Sequence, residues 1–197
     1  MGLSGGKQRP SRSVFARWAR KNQVRRWHRA LAALLIGLPL LWASSRIPVP
    51  GYTRLELTDT GSGRTLLSRL LREGDTVVLT WKNSLFGLMV TEVFVAKGGI
   101  LALSQVAFAD PRGGEPPRAR PEDLDDLYHT GGPFRVDGLA KPISSVVFRI
   151  GEIGQPTIRI GNRSVRLADE VGFGGAVRLV ARRPTLWEKA LDLMGGP

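Results

Sequence analysis

The chain has 197 residues, enough for one ordinary domain with appendages and too few for two full ones. It has no cysteine, which excludes disulfides, a thiolate-bound zinc and a cysteine nucleophile. Its formal net charge of +12 is uneven: residues 1–29 hold nine Lys/Arg and no acid, so the rest is near balance and a basic face for nucleic acid is excluded.

The basic tail leads into an apolar run, Ala30–Ser45, sixteen residues without a charge, bounded by Arg29 and Arg46. Leu34, Leu35, Ile36, Leu38, Leu40 and Leu41 supply most of its hydrophobicity, and Trp27 and Trp42 stand near its ends, where interfacial aromatics belong. As a helix the run covers about 24 Å of a hydrocarbon core about 30 Å thick, and its flanking arginines can snorkel to make up part of the difference. It therefore reads as a transmembrane anchor that contacts membrane lipid. The positive-inside rule then puts the tail in the cytoplasm and everything from about residue 47 outside, in a periplasmic or equivalent space. The alternative is a cleaved signal segment, since Ala43-Ser44-Ser45 offers small residues at a suitable spacing.

Residues 46–51, with Pro48 and Pro50, read as a stiff extended linker. The domain that follows spans 52–183. Tyr52–Thr58 and Thr65–Leu71 form a predicted hairpin around Asp59–Gly63, whose likeness to a phosphate loop stops at the missing lysine-Ser/Thr pair. Arg72–Asp75 turns the chain into Thr76–Lys82, where Val77, Leu79 and Trp81 point one way and Thr76, Thr80 and Lys82 the other. Val90–Val95 and Ile100–Phe108 follow, joined at Lys97-Gly98-Gly99. Further strands are predicted at Ser144–Ile150, Thr157–Ile160, Ser164–Leu167 and Ala176–Val180. The fold class is all-β, an antiparallel sandwich or barrel-like domain behind one N-terminal transmembrane helix.

Asp110–Pro142 is rich in proline and acid and reads as a long connection. Glu122, Asp123, Asp125 and Asp126 match no calcium-loop spacing, whereas Leu124, Leu127 and Tyr128 make the buried side of one short helix. No second ligand or triad partner frames His129, and no metal or other cofactor is expected. Gly172–Gly175 fails as a dinucleotide fingerprint and reads as a hairpin turn. Thr185 and Glu188 form a capping box that starts a C-terminal helix, within a 184–197 tail, to about Met194. Leu186, Trp187, Ala190, Leu191 and Met194 share a face expected to pack on the sheet, with the membrane surface or a partner as the other destinations for it.

Gly74-Asp75 leading into a strand that ends at Asn83-Ser84, then Thr91-Glu92-Val93-Phe94, then Ile100–Phe108, resembles the DUF1850 family of bacterial exported proteins over about residues 52–183. The family pattern has His-Ser at the strand end, where this chain has Asn83-Ser84, and a glycine-rich loop, for which Arg112-Gly113-Gly114-Glu115-Pro116 stands here. The resemblance implies an accessory to TRAP transporters of the TAXI type, binding the permease or its solute, without enzymatic activity. It directs attention to Trp81, Asn83, Ser84, Glu92, Gly113 and Gly114. From the residues alone, Asn83-Ser84 is ordinary turn chemistry, and Glu92 faces water or pairs with an arginine across the sheet. Two other classes are an envelope-assembly domain docking through strand edges or the C-terminal helix, and a hydrolase built on Ser84.

Overall fold

A computed structural model describes residues 46–194 and the helical positions 35, 37, 39, 42 and 43. The chain divides into two compact units, Met1–Arg46 and Ile47–Pro197. In the first, the Arg46 guanidinium lies 4.3 Å from the Trp42 ring centroid, and the Arg46 N–H closes a turn on the Ala43 carbonyl at 3.1 Å. The basic tail and the anchor positions Leu34, Ile36, Leu38, Leu40 and Leu41 lie outside the described residues. Among the described residues, no helix is long and apolar enough to cross a membrane.

The second unit is two β-sheets with short helices. Its strands are β1 (Tyr52–Asp59), β2 (Thr65–Arg72), β3 (Thr76–Lys82), β4 (Met89–Lys97), β5 (Ile100–Phe108), β6 (Arg118–Ala119), β7 (Phe134–Ile143), β8 (Ser145–Arg149), β9 (Thr157–Ile160), β10 (Arg163–Arg166) and β11 (Ala176–Arg182). The helices are α1 (Leu124–Thr130), α2 (Leu167–Val171) and α3 (Leu186–Leu193). One sheet runs β2-β1-β11-β8 and the other β10-β9-β3-β4-β5-β7-β6, antiparallel throughout except where β6 joins β7. Period-two alternation turns Leu55, Leu57, Leu67, Val177 and Leu179 of the first sheet inward. Val77, Leu79, Val90, Phe94, Val106 and Ile158 of the second join them in a single core, as in a β-sandwich. Each fully buried Leu or Val in that core is worth about 1.5–3 kcal/mol.

Strand β5 needs an irregularity to keep its apolar residues inward. On β5, Leu101 and Leu103 are buried, and so are Val106 and Phe108, a pattern that alternation alone forbids. The pairing with β4 skips Ser104, whose hydroxyl donates to the Val93 carbonyl at 2.9 Å, and this bulge resets the faces.

Four expectations need correction. Asp110–Pro142 is not only a connection, because its last part is the ten-residue β7. Gly138 and Pro142 disguise that strand. Gly138 takes φ +72 where the pairing with β5 is irregular, and Pro142 is tolerated because β6 covers only Arg135 and Val136. Leu167 begins α2 instead of ending a strand, and Gly172, at φ +74, caps that helix, so the glycine cluster turns a helix into β11 and not one strand into another. The stiff linker expected after Arg46 is bonded into the second unit. The Val49 N–H donates to the Pro184 carbonyl at 2.8 Å, the Leu186 N–H donates to the Ile47 carbonyl at 2.9 Å, and Pro48 bridges to Thr185.

The fourth correction concerns α3. Its capping box is formed as expected, the Glu188 N–H donating to Thr185 Oγ1 at 3.3 Å and the Thr185 N–H to Glu188 Oε2 at 2.8 Å. The helix nevertheless docks by its polar side. Glu188 meets Arg182, which also holds Glu56 at 2.8 Å. Asp192 is 3.7 Å from Arg54, and the Lys189 ammonium lies 4.0 Å from the Tyr52 ring centroid. The apolar side, expected on the sheet, is exposed: Leu191 by 40%, Trp187 by 41% and Met194 by 70%.

Candidate functional site

The second sheet carries one acid on its inner face. In the β3–β4 register Trp81 pairs with Val90, Leu79 with Glu92 and Val77 with Phe94, so alternation places Glu92 inward between Val90 and Phe94. Across β5 it pairs with Val106. A half-buried carboxyl among Leu79, Val106 and Phe94 must find donors or neutralise.

The donor comes from another element, helix α1. Helix α1 buries Leu124, and its Tyr128 packs edge-on against Phe108 at 5.4 Å, while Phe108 stacks on Phe134 at 4.5 Å. That aromatic cluster aims the phenol, and Tyr128 Oη donates to Glu92 Oε1 at 2.9 Å. The Trp81 side chain, one strand away, favours the charged carboxylate less than Tyr128 does. Burial pushes the Glu92 pKa above the usual carboxylate range, and Tyr128 and Trp81 offset part of that rise. Burial also pushes the Tyr128 phenol up, helped by the neighbouring Glu92 charge, so Tyr128 stays a donor at every ordinary pH.

The acid opens on a cleft of about 380 Å³. Leu79, Trp81 and Glu92 form one wall, and Val146 to Arg149, on edge strand β8 of the other sheet, form the opposite one. The loop after β8 supplies Gly154 and Pro156. That loop is tied down where the Lys82 N–H donates to the Gly154 carbonyl at 2.8 Å and the Leu167 N–H to the Pro156 carbonyl at 3.0 Å. Gln155 between them takes φ +41, the one non-glycine residue with positive φ among the described residues. The result is a mostly apolar groove with one acid and one indole inside and the Arg149 cation in its wall, the make-up of a small-ligand site.

Of the residues singled out from sequence, Trp81 and Glu92 come together here and the other four do not line the cleft. Asn83, only 8% exposed, serves the β3–β4 turn: its Oδ1 accepts from the Leu85 and Phe86 N–H groups at 2.9 and 3.0 Å. That turn sets the Phe86 ring against Gly131, the residue that caps α1. Ser84 is exposed on the same turn. Gly113 and Gly114 sit in a separate exposed turn, which Asp110 organises by accepting from the Arg112 N–H at 2.9 Å. Glu92 pairs with Tyr128 and not with an arginine, and it faces the cleft. Sequence reasoning had Tyr128 on the buried face of its helix but no way to aim it at Glu92, 36 residues earlier. The β8 wall was missed altogether. Among the described residues, no group of three or more His, Asp or Glu side chains is arranged to hold a metal ion.

Searches against protein-family models, curated proteins and solved structures return no match.

Proposed function

We propose that this chain is a membrane-anchored, extracytoplasmic binding protein that acts without enzymatic chemistry and takes a small ligand in the cleft at Glu92. The observation that carries the reading is an inward-facing acid, held by Tyr128 and set beside Trp81, at the wall of a cleft that is otherwise largely apolar. Structural economy would place a leucine at such a position, since an uncompensated buried carboxyl costs stability. A compact molecule with an apolar body and an ammonium or other donor group fits these walls. The apolar body would pack between Leu79 and Phe148, and the donor would reach the free lone pairs of Glu92.

The resemblance noted above supplies the setting, an accessory to a TRAP transporter of the TAXI type that engages the permease or its solute. The anchor reading rests on the uncharged run at 30–45 and the basic tail before it. The test has two parts. The tagged chain, drawn gently from detergent-solubilised membranes, is expected to retain its full-length mass and to bring a multi-span permease with it. Native mass spectrometry of the same preparation is expected to find a small molecule that is lost in Glu92→Ala and retained in a surface variant such as Ser84→Ala. A chain that emerges without permease or small molecule, from cells whose uptake is unchanged when it is deleted, would remove the reading.

A further inference from the structure

Helix α3 is put together the opposite way from a core helix. Its charged side, Glu188, Lys189 and Asp192, is held by Arg182, Tyr52 and Arg54. Leu186, Trp187, Leu191, Leu193 and Met194 are left facing outward. Such a surface costs solubility unless something apolar covers it. The ion pairs fix the orientation, so the helix cannot roll over to hide it without breaking the Arg182–Glu188 and Arg54–Asp192 contacts.

The position of the helix in the chain indicates what covers it. Its first turn is bonded to the residues that directly follow the proposed anchor, through Ile47 to Leu186, Val49 to Pro184 and Pro48 to Thr185. Arg46 bounds the apolar run, so α3 is fastened to the residues that directly follow that run in sequence. Ile47 is itself exposed and extends the apolar surface. The neighbouring cation Arg183 suits anionic headgroups: it is exposed and donates to the Gly98 carbonyl at 3.0 Å.

We propose that α3 lies in the plane of the membrane interface, its Trp187–Leu191–Met194 side in the headgroup–acyl boundary, as a second contact that fixes the domain's tilt on the bilayer. This rests on the anchor reading, because a domain released from the membrane would gain nothing from the arrangement. A leash alone leaves the domain free to tumble. Two contacts, one covalent and one interfacial, hold one end of the sandwich down.

The chain lacks cysteine, so single labels are introduced without background. Leu191→Cys, Leu35→Cys and Ile153→Cys are each spin-labelled in the full-length chain, reconstituted in phosphatidylcholine–phosphatidylglycerol vesicles, and compared for collision with oxygen and with a water-soluble nickel chelate. All three native side chains are exposed, and a thermal melt superimposable on the unsubstituted chain confirms folding. The expected result is several-fold preference for oxygen at positions 35 and 191 and the reverse at 153. Lipid exposure at 35 with water exposure at 191 overturns the inference and leaves the anchor standing. Water exposure at both removes the anchor and the inference together. Spin–spin broadening at 191 would mean that a second copy covers the face, and would likewise overturn it.

Discussion

Glu92 is the residue at which physical cost and position diverge most. Its carboxyl binds its proton more tightly in the folded chain than in the unfolded one, because burial outweighs the influence of Tyr128 and Trp81. Between the unfolded value of 4.5 and the higher folded value, the native state therefore holds more protons, and its contribution to stability falls as pH rises through that window. Glu92→Gln keeps an acceptor for Tyr128 and removes the titration. Its melting temperature is expected to match or exceed that of the wild type at pH 7, with a flatter profile upward from pH 4.5, as scanning calorimetry in a buffer series would show. Tyr128→Phe should act in the opposite sense. It leaves the carboxylate with one donor fewer, for a loss of about 1–3 kcal/mol at neutral pH and less at pH 4, measured by urea unfolding. At this scale the sequence was informative about identity and silent about direction. Glu92 and Trp81 stand out in a strand pattern, but a rule of alternation does not say which of a strand's two faces is the inner one.

For single elements, legibility tracked locality. The β3 strand, the β4–β5 hairpin and the α3 capping box depend on residues within a few positions of one another, and all were readable. The β4–β5 turn also carries a constraint invisible from sequence. Gly99 takes φ +86, and a Cβ there would stand 2.2 Å from Arg183 Cγ and 2.9 Å from the Arg183 backbone nitrogen. Gly99→Ala is expected to cost about 2–4 kcal/mol, from left-handed strain and overpacking together, read as a lower denaturation midpoint. Helix α3 depends on Glu188, whose pKa is lowered to about 2, chiefly by the Arg182 guanidinium. That stability is present above the unfolded value of 4.5 and is lost as pH falls through about 2. Glu188→Gln should therefore weaken the helix by about 0.5–2 kcal/mol at pH 7 and abolish its acid sensitivity, seen as faster amide exchange confined to α3. Helical periodicity identified the apolar side of α3. It did not identify the side that docks, because Arg54, Glu56 and Arg182 lie on strands that only the fold brings beneath it.

In the Ile47–Pro197 unit as a whole, both sheets draw on one core, so they are expected to unfold together. Leu55→Ala, at a fully buried position of the first sheet, should lower stability by about 2–5 kcal/mol while preserving a single transition at the Trp fluorescence and circular-dichroism probes. Two resolved steps would show that the sheets are separate folding units. What the sequence determined by itself was composition and local pattern: charge asymmetry before an apolar run, a cysteine-free chain that must rely on its core, and short strands spaced for a sandwich or barrel. These follow from local pattern and from sums over residues. Which strands neighbour one another, that β8 faces β3 and β4 across a cleft, and that α3 turns its greasy side outward were decided only by tertiary structure. Each depends on pairings far apart in the chain, such as Tyr128 with Glu92 and Arg182 with Glu56, and no short window contains both partners.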